Sequence, residues 1–194
     1  KDKQHKLSKR NGDASYEDFI KKGYLKEAII NYIALLGWSP GGEQEIFSLS
    51  ELAEAFDLDG ISKSPSIFDN EKLTWMNAQY ISRMDTGEYL ERAKPYFDEA
   101  LKGEFDRRFI AELLQPRLET LAQIPEKISF LSEMPDYDIE LYTHKKMKTN
   151  PEISLPILEG LLPVMESQED YSAAALHDAV MDYIKTTGEK NGKI

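Results

Sequence analysis

The sequence contains no cysteine, and this absence rules out disulfides and metal sites built on thiolates. Its three histidines, His5, His144 and His177, are too scattered along the chain to suggest a set of metal ligands. We therefore predict no metal centre. No apolar run approaches the roughly 20 residues that a membrane-spanning helix requires, so we expect a soluble, cytoplasmic protein without a membrane partner.

Basic residues are also fewer than acidic ones. The chain has 24 Lys and Arg against 35 Asp and Glu, which gives a formal net charge of -11. Because neutralising phosphates requires clustered Lys and Arg, this balance argues against general affinity for nucleic acids. A polynucleotide would have to bind at a local basic patch.

Hydrophobic spacing indicates helices along most of the 194 residues, and 41% hydrophobic residues suffice for a core. Helix starts are marked by capping residues, and these are Ser15 with Asp18, Ser48 with Glu51, Asp69, and Asn150 before Pro151. Almost no stretch alternates with a period of two, and QEIFSL (44–49) is the best strand candidate. We predict a mainly α fold with at most one short β-strand pair near the N-terminus.

Prolines and aromatic residues refine this prediction. Pro156 and Pro163 fall inside one apolar pattern, and we expect them to kink or split the helix there. The spacing of four aromatic residues favours positions in the core, and these are Tyr32, Trp38, Phe68 and Trp75.

The segment KLSKR (6–10) is the first basic cluster. Lys6 and Lys9 lie three residues apart, so two ammonium groups in a loop could reach neighbouring phosphoryl oxygens of a polyphosphate. A solvated basic loop is the alternative. The spacing alone does not decide between these readings.

The continuation of this segment resembles a known family. KLSKRNGDASYEDFIKKGYLKEAIINYIALLGWSP and the later EIFSLSELAEAF closely resemble bacterial-type glutamyl-tRNA synthetases, which are class I aminoacyl-tRNA synthetases, from the loop called KMSKS onward. LLQPRLETLAQIPEK resembles the family's first helical anticodon-binding domain. The resemblance implies a KMSKS-like loop and stem-contact region at 1–70, a first helical anticodon-binding domain at 71–138, and the truncated start of a second at 139–194.

The resemblance also implies an activity and its residues. The longer enzyme would activate glutamate with ATP, accompanied by Mg²⁺, and transfer it to tRNA(Glu). Lys6 and Lys9 would stabilise the triphosphate, and Ser8 with Lys9 would bind the ATP. The chain has no HIGH-type segment and no nucleotide-binding sheet, so we expect a monomeric C-terminal portion that alone is inactive and binds no ATP.

For the tRNA, the resemblance singles out Arg117 as the residue that reads the third anticodon base. An ion pair of a surface arginine with Glu112 or Glu119 is the alternative. Pro116 should disrupt the helix, so that Arg117 projects at a break. Expected phosphate contacts, which could equally be solvated faces, are Arg107, Arg108, Lys145, Lys146 and Lys148.

Two other functions stay open on the sequence alone. A free-standing helical tRNA-binding module would give KLSKR no ATP site to close over. A helical protein-interaction domain would leave that segment as a chance match.

Overall fold

The computed structural model describes residues 15–188, and helices dominate them. The α-helices are α1 (Tyr16–Lys21), α2 (Lys26–Gly37), α3 (Leu49–Ala55), α4 (Asn70–Arg83), α5 (Thr86–Ala100), α6 (Arg107–Leu114), α7 (Ile124–Ile128), α8 (Pro151–Glu166) and α9 (Ala173–Thr187). Short 3-10 turns cover Gln115–Arg117, Leu121–Gln123, Ser129–Leu131 and Ile139–Tyr142. The predicted mainly α class is confirmed.

Hydrogen bonds at the helix starts explain why the helices begin where the sequence indicates. Ser15 and Asp18 form a reciprocal capping box at α1, as do Ser48 and Glu51 at α3. The side chain of Asp69 accepts from two backbone N–H groups in the first turn of α4. Local sequence therefore sets these helix ends.

The strand predicted at 44–49 does not form. The backbone N–H of Phe47 donates to Oδ1 of Asn31 at 2.9 Å, so a buried side chain of α2 takes the place of a second strand. Within residues 15–188, β pairing is limited to isolated bridges such as Trp38 with Ile61. The segment is an extended connector.

The chain divides into two compact units, one ending at Met134 and the other beginning at Pro135. In the first unit α2 packs against α4, and α5 packs against α6 and α7; in the second, α8 packs against α9. The three-part division at 1–70, 71–138 and 139–194 stays a prediction.

The largest core cluster of the first unit includes one face of α5. Tyr89, Ala93 and Phe97 follow one another at four-residue spacing and are each at most 1% exposed. They pack with buried residues of α6 and α7. This core forms the support on which the end of α6 rests.

Trp75 is not in the core, so the prediction from its spacing is wrong. Trp38 and Tyr32 are buried as predicted, but Trp75 is 42% exposed. The buried face of α4 is formed by Leu73, Met76, Asn77 and Ile81, and Trp75 falls beside that face. The ammonium of Lys72 lies 4.4 Å from its ring centroid.

Gly23 allows a close contact between distant parts of the first unit. Its φ of 78° is in the left-handed region, and its carbonyl accepts a hydrogen bond from the N–H of Leu121 at 3.0 Å. A Cβ at this position would lie 2.3 Å from the backbone nitrogen of Ala122. The turn between α1 and α2 is thereby held against the segment that follows Arg117.

A bidentate ion pair joins α2 to α5. The guanidinium of Arg92 donates to both carboxylate oxygens of Glu27, at 3.0 and 3.1 Å, and to Glu88 at 2.6 Å. Burial acting alone would raise the pKa of Glu27, but the hydrogen bonds and the charge of Arg92 outweigh it and lower that pKa. The carboxylate is thus stabilised in its ionised form.

The second unit has little core. Pro156 and Pro163 do not split α8, which runs unbroken from Pro151 to Glu166. Both prolines are exposed, so water can reach the carbonyls that their missing N–H groups leave free. Among the described residues of this unit, Ile184 is the buried apolar side chain, whereas three leucines of α8 are 45–58% exposed: Leu155, Leu158 and Leu162.

Candidate nucleic-acid interface

The end of α6 has the break that the sequence predicts. The helix begins at its cap Asp106, whose Oδ1 accepts from the N–H of Phe109 at 3.0 Å. It ends at Leu114, two residues before Pro116, and a 3-10 turn replaces the next α-helical turn. Leu118 then adopts an extended backbone, with φ -96° and ψ 135°.

Arg117 is exposed at this break. Its Nη1 donates to the carbonyl of Leu113 at 3.3 Å, and it takes part in no ion pair within residues 15–188. Of the two carboxylates named as alternative partners, Glu112 binds Arg108 at 3.1 Å and Glu119 accepts from Gln123 at 3.3 Å. The ion pairs of the alternative interpretation do not form within residues 15–188, and the guanidinium keeps donors for another ligand.

Buried residues flank Arg117 on both sides. Gln115 is 7% exposed, and its Nε2 donates to the carbonyls of Ile81 and Met84 at 2.9 and 2.6 Å. Leu118 is 2% exposed on the other side. The backbone that carries Arg117 is therefore fixed while its side chain faces solvent.

Two exposed apolar side chains of α6, the helix that precedes Arg117, were not predicted as site residues from the sequence. Phe109 and Leu113 are 57% and 46% exposed, one helical turn apart on α6. Their four-residue spacing, continued to Arg117, is the sequence signal that could have identified them. An exposed aromatic ring can stack with a base.

Arg107 and Arg108 differ from Arg117 because both pair with carboxylates. Arg107 binds Asp98, and Arg108 binds Glu112 one turn along α6. Their positive charge is partly compensated, which weakens attraction to phosphate. Their expected phosphate contacts stay predictions.

The second unit carries a lysine loop, formed by residues 145–148. Two backbone hydrogen bonds between His144 and Thr149, at 3.2 and 3.3 Å, close it. Nδ1 of His144 accepts from the N–H of Met147 at 3.2 Å, and Lys148 has a φ of 57°, a conformation rare outside glycine. Three exposed side chains of the loop are in no ion pair among the described residues: Lys145, Lys146 and Lys148.

Several further predictions are limited by the part of the chain that the structure describes. Lys6, Ser8 and Lys9, the predicted ATP-loop residues, lie outside it. Within 15–188, no three His, Asp or Glu side chains come together in a way that could hold a metal ion. None of the helices there has the length and apolar character that crossing a membrane requires.

Family models match the chain in two parts. The model described as "Anticodon binding domain" matches residues 72–194, more than half of the chain. The model described as "tRNA synthetases class I (E and Q), catalytic domain" matches residues 1–75.

Relatives named glutamate–tRNA ligase match along the whole chain. The protein of Clostridium acetobutylicum is 52% identical over 195 residues, covering 100% of this chain and 40% of its own length. That of Clostridium tetani is 52% identical over 192 residues, covering 99% and 39%. The chain spans about two fifths of the length of these curated relatives.

Solved structures agree with these relatives. A glutamate tRNA ligase from Elizabethkingia meningosepticum, crystallised in complex with its amino acid, has a TM-score of 0.79 at 27% identity, covering 99% of this chain and 41% of that one. The glutamate-tRNA synthetase of Elizabethkingia anophelis has a TM-score of 0.75 at 26% identity, with the same coverage. The chain therefore belongs to the glutamate–tRNA ligase family of class I synthetases, in the part that includes the anticodon-binding domain.

Proposed function

We propose that this chain is the tRNA-binding part of a monomeric enzyme that activates glutamate with ATP and joins it to tRNA(Glu), and that Arg117 reads the third anticodon base. One observation carries the proposal. The guanidinium of Arg117 is exposed and in no ion pair within residues 15–188, yet its backbone lies between the buried Gln115 and Leu118. A base reader needs this combination of free donors and a fixed position.

The chemistry of arginine favours cytosine over guanine at that base. A guanidinium presents donors alone, and the pairing edge of cytosine offers acceptors at O2 and N3. Guanine places donors at N1 and N2 and a single acceptor at O6. Since the third anticodon base is cytosine in glutamate tRNA and guanine in glutamine tRNA, Arg117 would separate these two substrates.

Phe109 and Leu113 extend this proposal to stacking. Bases in a single-stranded loop are splayed out and need an apolar surface as well as hydrogen bonds. Phe109 and Leu113 expose apolar area on the helix that ends at Arg117. They would hold the base by its face while Arg117 bonds to its edge.

The lysine loop would bind phosphates. Its three lysines concentrate positive charge in a chain of net charge -11, and none has a carboxylate partner among the described residues. Such contacts add affinity without reading sequence. Arg107 and Arg108 would contribute less, because each already binds a carboxylate.

For the ATP-dependent step, the roles proposed for Lys6, Ser8 and Lys9 rest on the family resemblance. Two ammonium groups beside the triphosphate would stabilise the negative charge that develops as pyrophosphate leaves. Mg²⁺ would accompany the ATP.

Arg117→Gln tests the reading of the base. Labelled glutamate tRNA and the same tRNA with guanine as third anticodon base are titrated with the chain, and the two dissociation constants are compared. Glutamine has both a donor and an acceptor, so we expect the preference for cytosine to fall by about 1–3 kcal/mol, or roughly 5- to 150-fold.

Arg108→Gln is the matched control, since it removes the same charge from α6, the helix that ends just before the turn of Arg117. It should weaken both tRNAs alike and leave their ratio unchanged. If the ratio survives Arg117→Gln as well, Arg117 does not read the base.

A further inference from the structure

We infer that two buried side-chain amides, Asn77 of α4 and Gln115, which bonds to the end of α4, are positioning residues that fix Arg117 for base reading. This rests on the proposed role of Arg117. Neither amide faces solvent: Gln115 is 7% exposed and Asn77 is 0% exposed. We call the two the amide clamp.

Gln115 ties the residue before Pro116 to the end of α4. The last carbonyls of a helix lack the usual partner four residues on, and here the single Nε2 donates to two of them, that of Met84 and that of Ile81, which also accepts from the N–H of Met84. Gln115 therefore caps α4 from 31 residues further along the chain. The start of the 3-10 turn is held by the same bonds.

Asn77 acts on the other side of Arg117. Its Nδ2 donates to the carbonyl of Glu119, and its Oδ1 accepts from the N–H of Leu25 at 2.8 Å. Arg117 thus lies between two anchored residues. The side chain of Gln115, two residues before it, bonds to carbonyls at the end of α4, and the backbone carbonyl of Glu119, two residues after it, bonds to Asn77 of α4. A buried polar side chain whose groups are satisfied in this way allows few alternative arrangements.

The clamp matters because Arg117 has few contacts of its own. Its side chain makes one long hydrogen bond, to Leu113, and is otherwise exposed. The position of its backbone therefore determines which points in space the guanidinium can reach. Binding sites lose selectivity when a recognition group shifts by about 1 Å, so a loosened clamp should blur base reading before it abolishes binding.

Gln115→Met is the test, because methionine keeps the length and packing of the side chain but donates no hydrogen bond. The wild-type chain and the variant are titrated with the tRNA pair that differs in the third anticodon base. We expect the cytosine preference to fall at least about threefold, while a cytosine-containing tRNA still binds. The double variant with Arg117→Gln should lose no more preference than Arg117→Gln alone.

Two further variants separate positioning from stability. Ile128→Val, in the core at α7, should lower the melting temperature without changing the base preference. Gln115→Asn keeps an amide one methylene shorter, and its preference should lie between those of wild type and Gln115→Met. It also decides the question if Gln115→Met does not fold.

The outcomes distinguish the two proposals. An unchanged ratio in Arg117→Gln overturns base reading and this inference with it. A reduced ratio in Arg117→Gln with a wild-type ratio in both Gln115 variants overturns the clamp alone. So does an equal loss of preference in Ile128→Val.

Discussion

The two units differ most in how much apolar surface they bury. Among described residues, every buried apolar side chain except Ile184 belongs to the first unit, and the α8 helix of the second has none. Each unit presents unpaired cations, Arg117 in one and the lysine loop in the other. Both sites present exposed cations, but within residues 15–188 only Arg117 belongs to a unit with an extensive buried apolar core.

Under the proposed function, this difference would correspond to two kinds of RNA contact. Reading a base edge demands fixed geometry, and a packed core with the amide clamp provides it. Neutralising phosphates demands charge within reach, and a short hairpin loop provides that without a core. If the proposed roles hold, the chain would combine a rigid base reader with a less supported electrostatic contact.

The largest expected effect concerns the difference in apolar core between the two units. Leu73→Ala in the first unit should cost about 2–5 kcal/mol of unfolding free energy, because Leu73 is 0% exposed. Leu162→Ala in the second should cost less than about 1 kcal/mol, because Leu162 is 58% exposed. Urea unfolding followed by tryptophan fluorescence and circular dichroism measures both. Equal losses would remove the distinction between the units.

A smaller effect concerns the lysine loop and its proposed contribution to tRNA affinity. Replacing the three loop lysines by glutamine should weaken glutamate tRNA and its guanine-substituted form equally. The slope of log K against log salt should become less negative by about 0.7–0.9 for each phosphate that the loop no longer neutralises. Lys94→Gln, on α5, is the single-charge control. A change in base preference would show that the loop also reads sequence.

The smallest expected effect concerns the ion pair of Glu27 with Arg92, which connects α2 to α5. The pKa of Glu27 is lowered in the folded chain from its ordinary value of 4.5, so the unfolded chain takes up this proton first as the pH falls. Stability from the pair is present above pH 4.5 and is lost as the pH drops towards the lower folded pKa. Because the pair is partly exposed, the contribution should stay below about 1 kcal/mol.

Glu27→Gln tests this contribution by urea unfolding at a series of pH values. The variant should lose stability relative to wild type at neutral pH, and the gap should narrow in acid. Glu91→Gln, an exposed neighbour on α5, serves as the control. A gap that stays constant with pH would contradict the assigned role of the carboxylate.

Features of the fold that depend on neighbouring residues could be predicted from the sequence. The capping boxes at Ser15 and Ser48 and the helix end before Pro116 each follow from a few adjacent residues. The absence of a β-strand at 44–49 and the exposure of Trp75 could not be predicted, because tertiary packing determines both. The amide clamp also escaped prediction, since Asn77 and Glu119 are 42 residues apart.

The candidate site was predictable to a similar degree. Arg117 was identified through family resemblance and the proline beside it. Its freedom from Glu112 and Glu119 depends on where Arg108 and Gln123 direct their side chains. Composition and spacing carry no information on that choice.

The most direct test of the two proposed roles, a rigid base reader and a separate electrostatic contact, is the base preference of the wild-type chain at several salt concentrations. Glutamate tRNA and its guanine-substituted form are titrated between about 50 and 200 mM salt, where phosphate contacts weaken steeply. The account predicts that both affinities fall while cytosine stays preferred by a constant factor of roughly 5 to 150. Equal affinities, or a preference that disappears with the phosphate contacts, would contradict it.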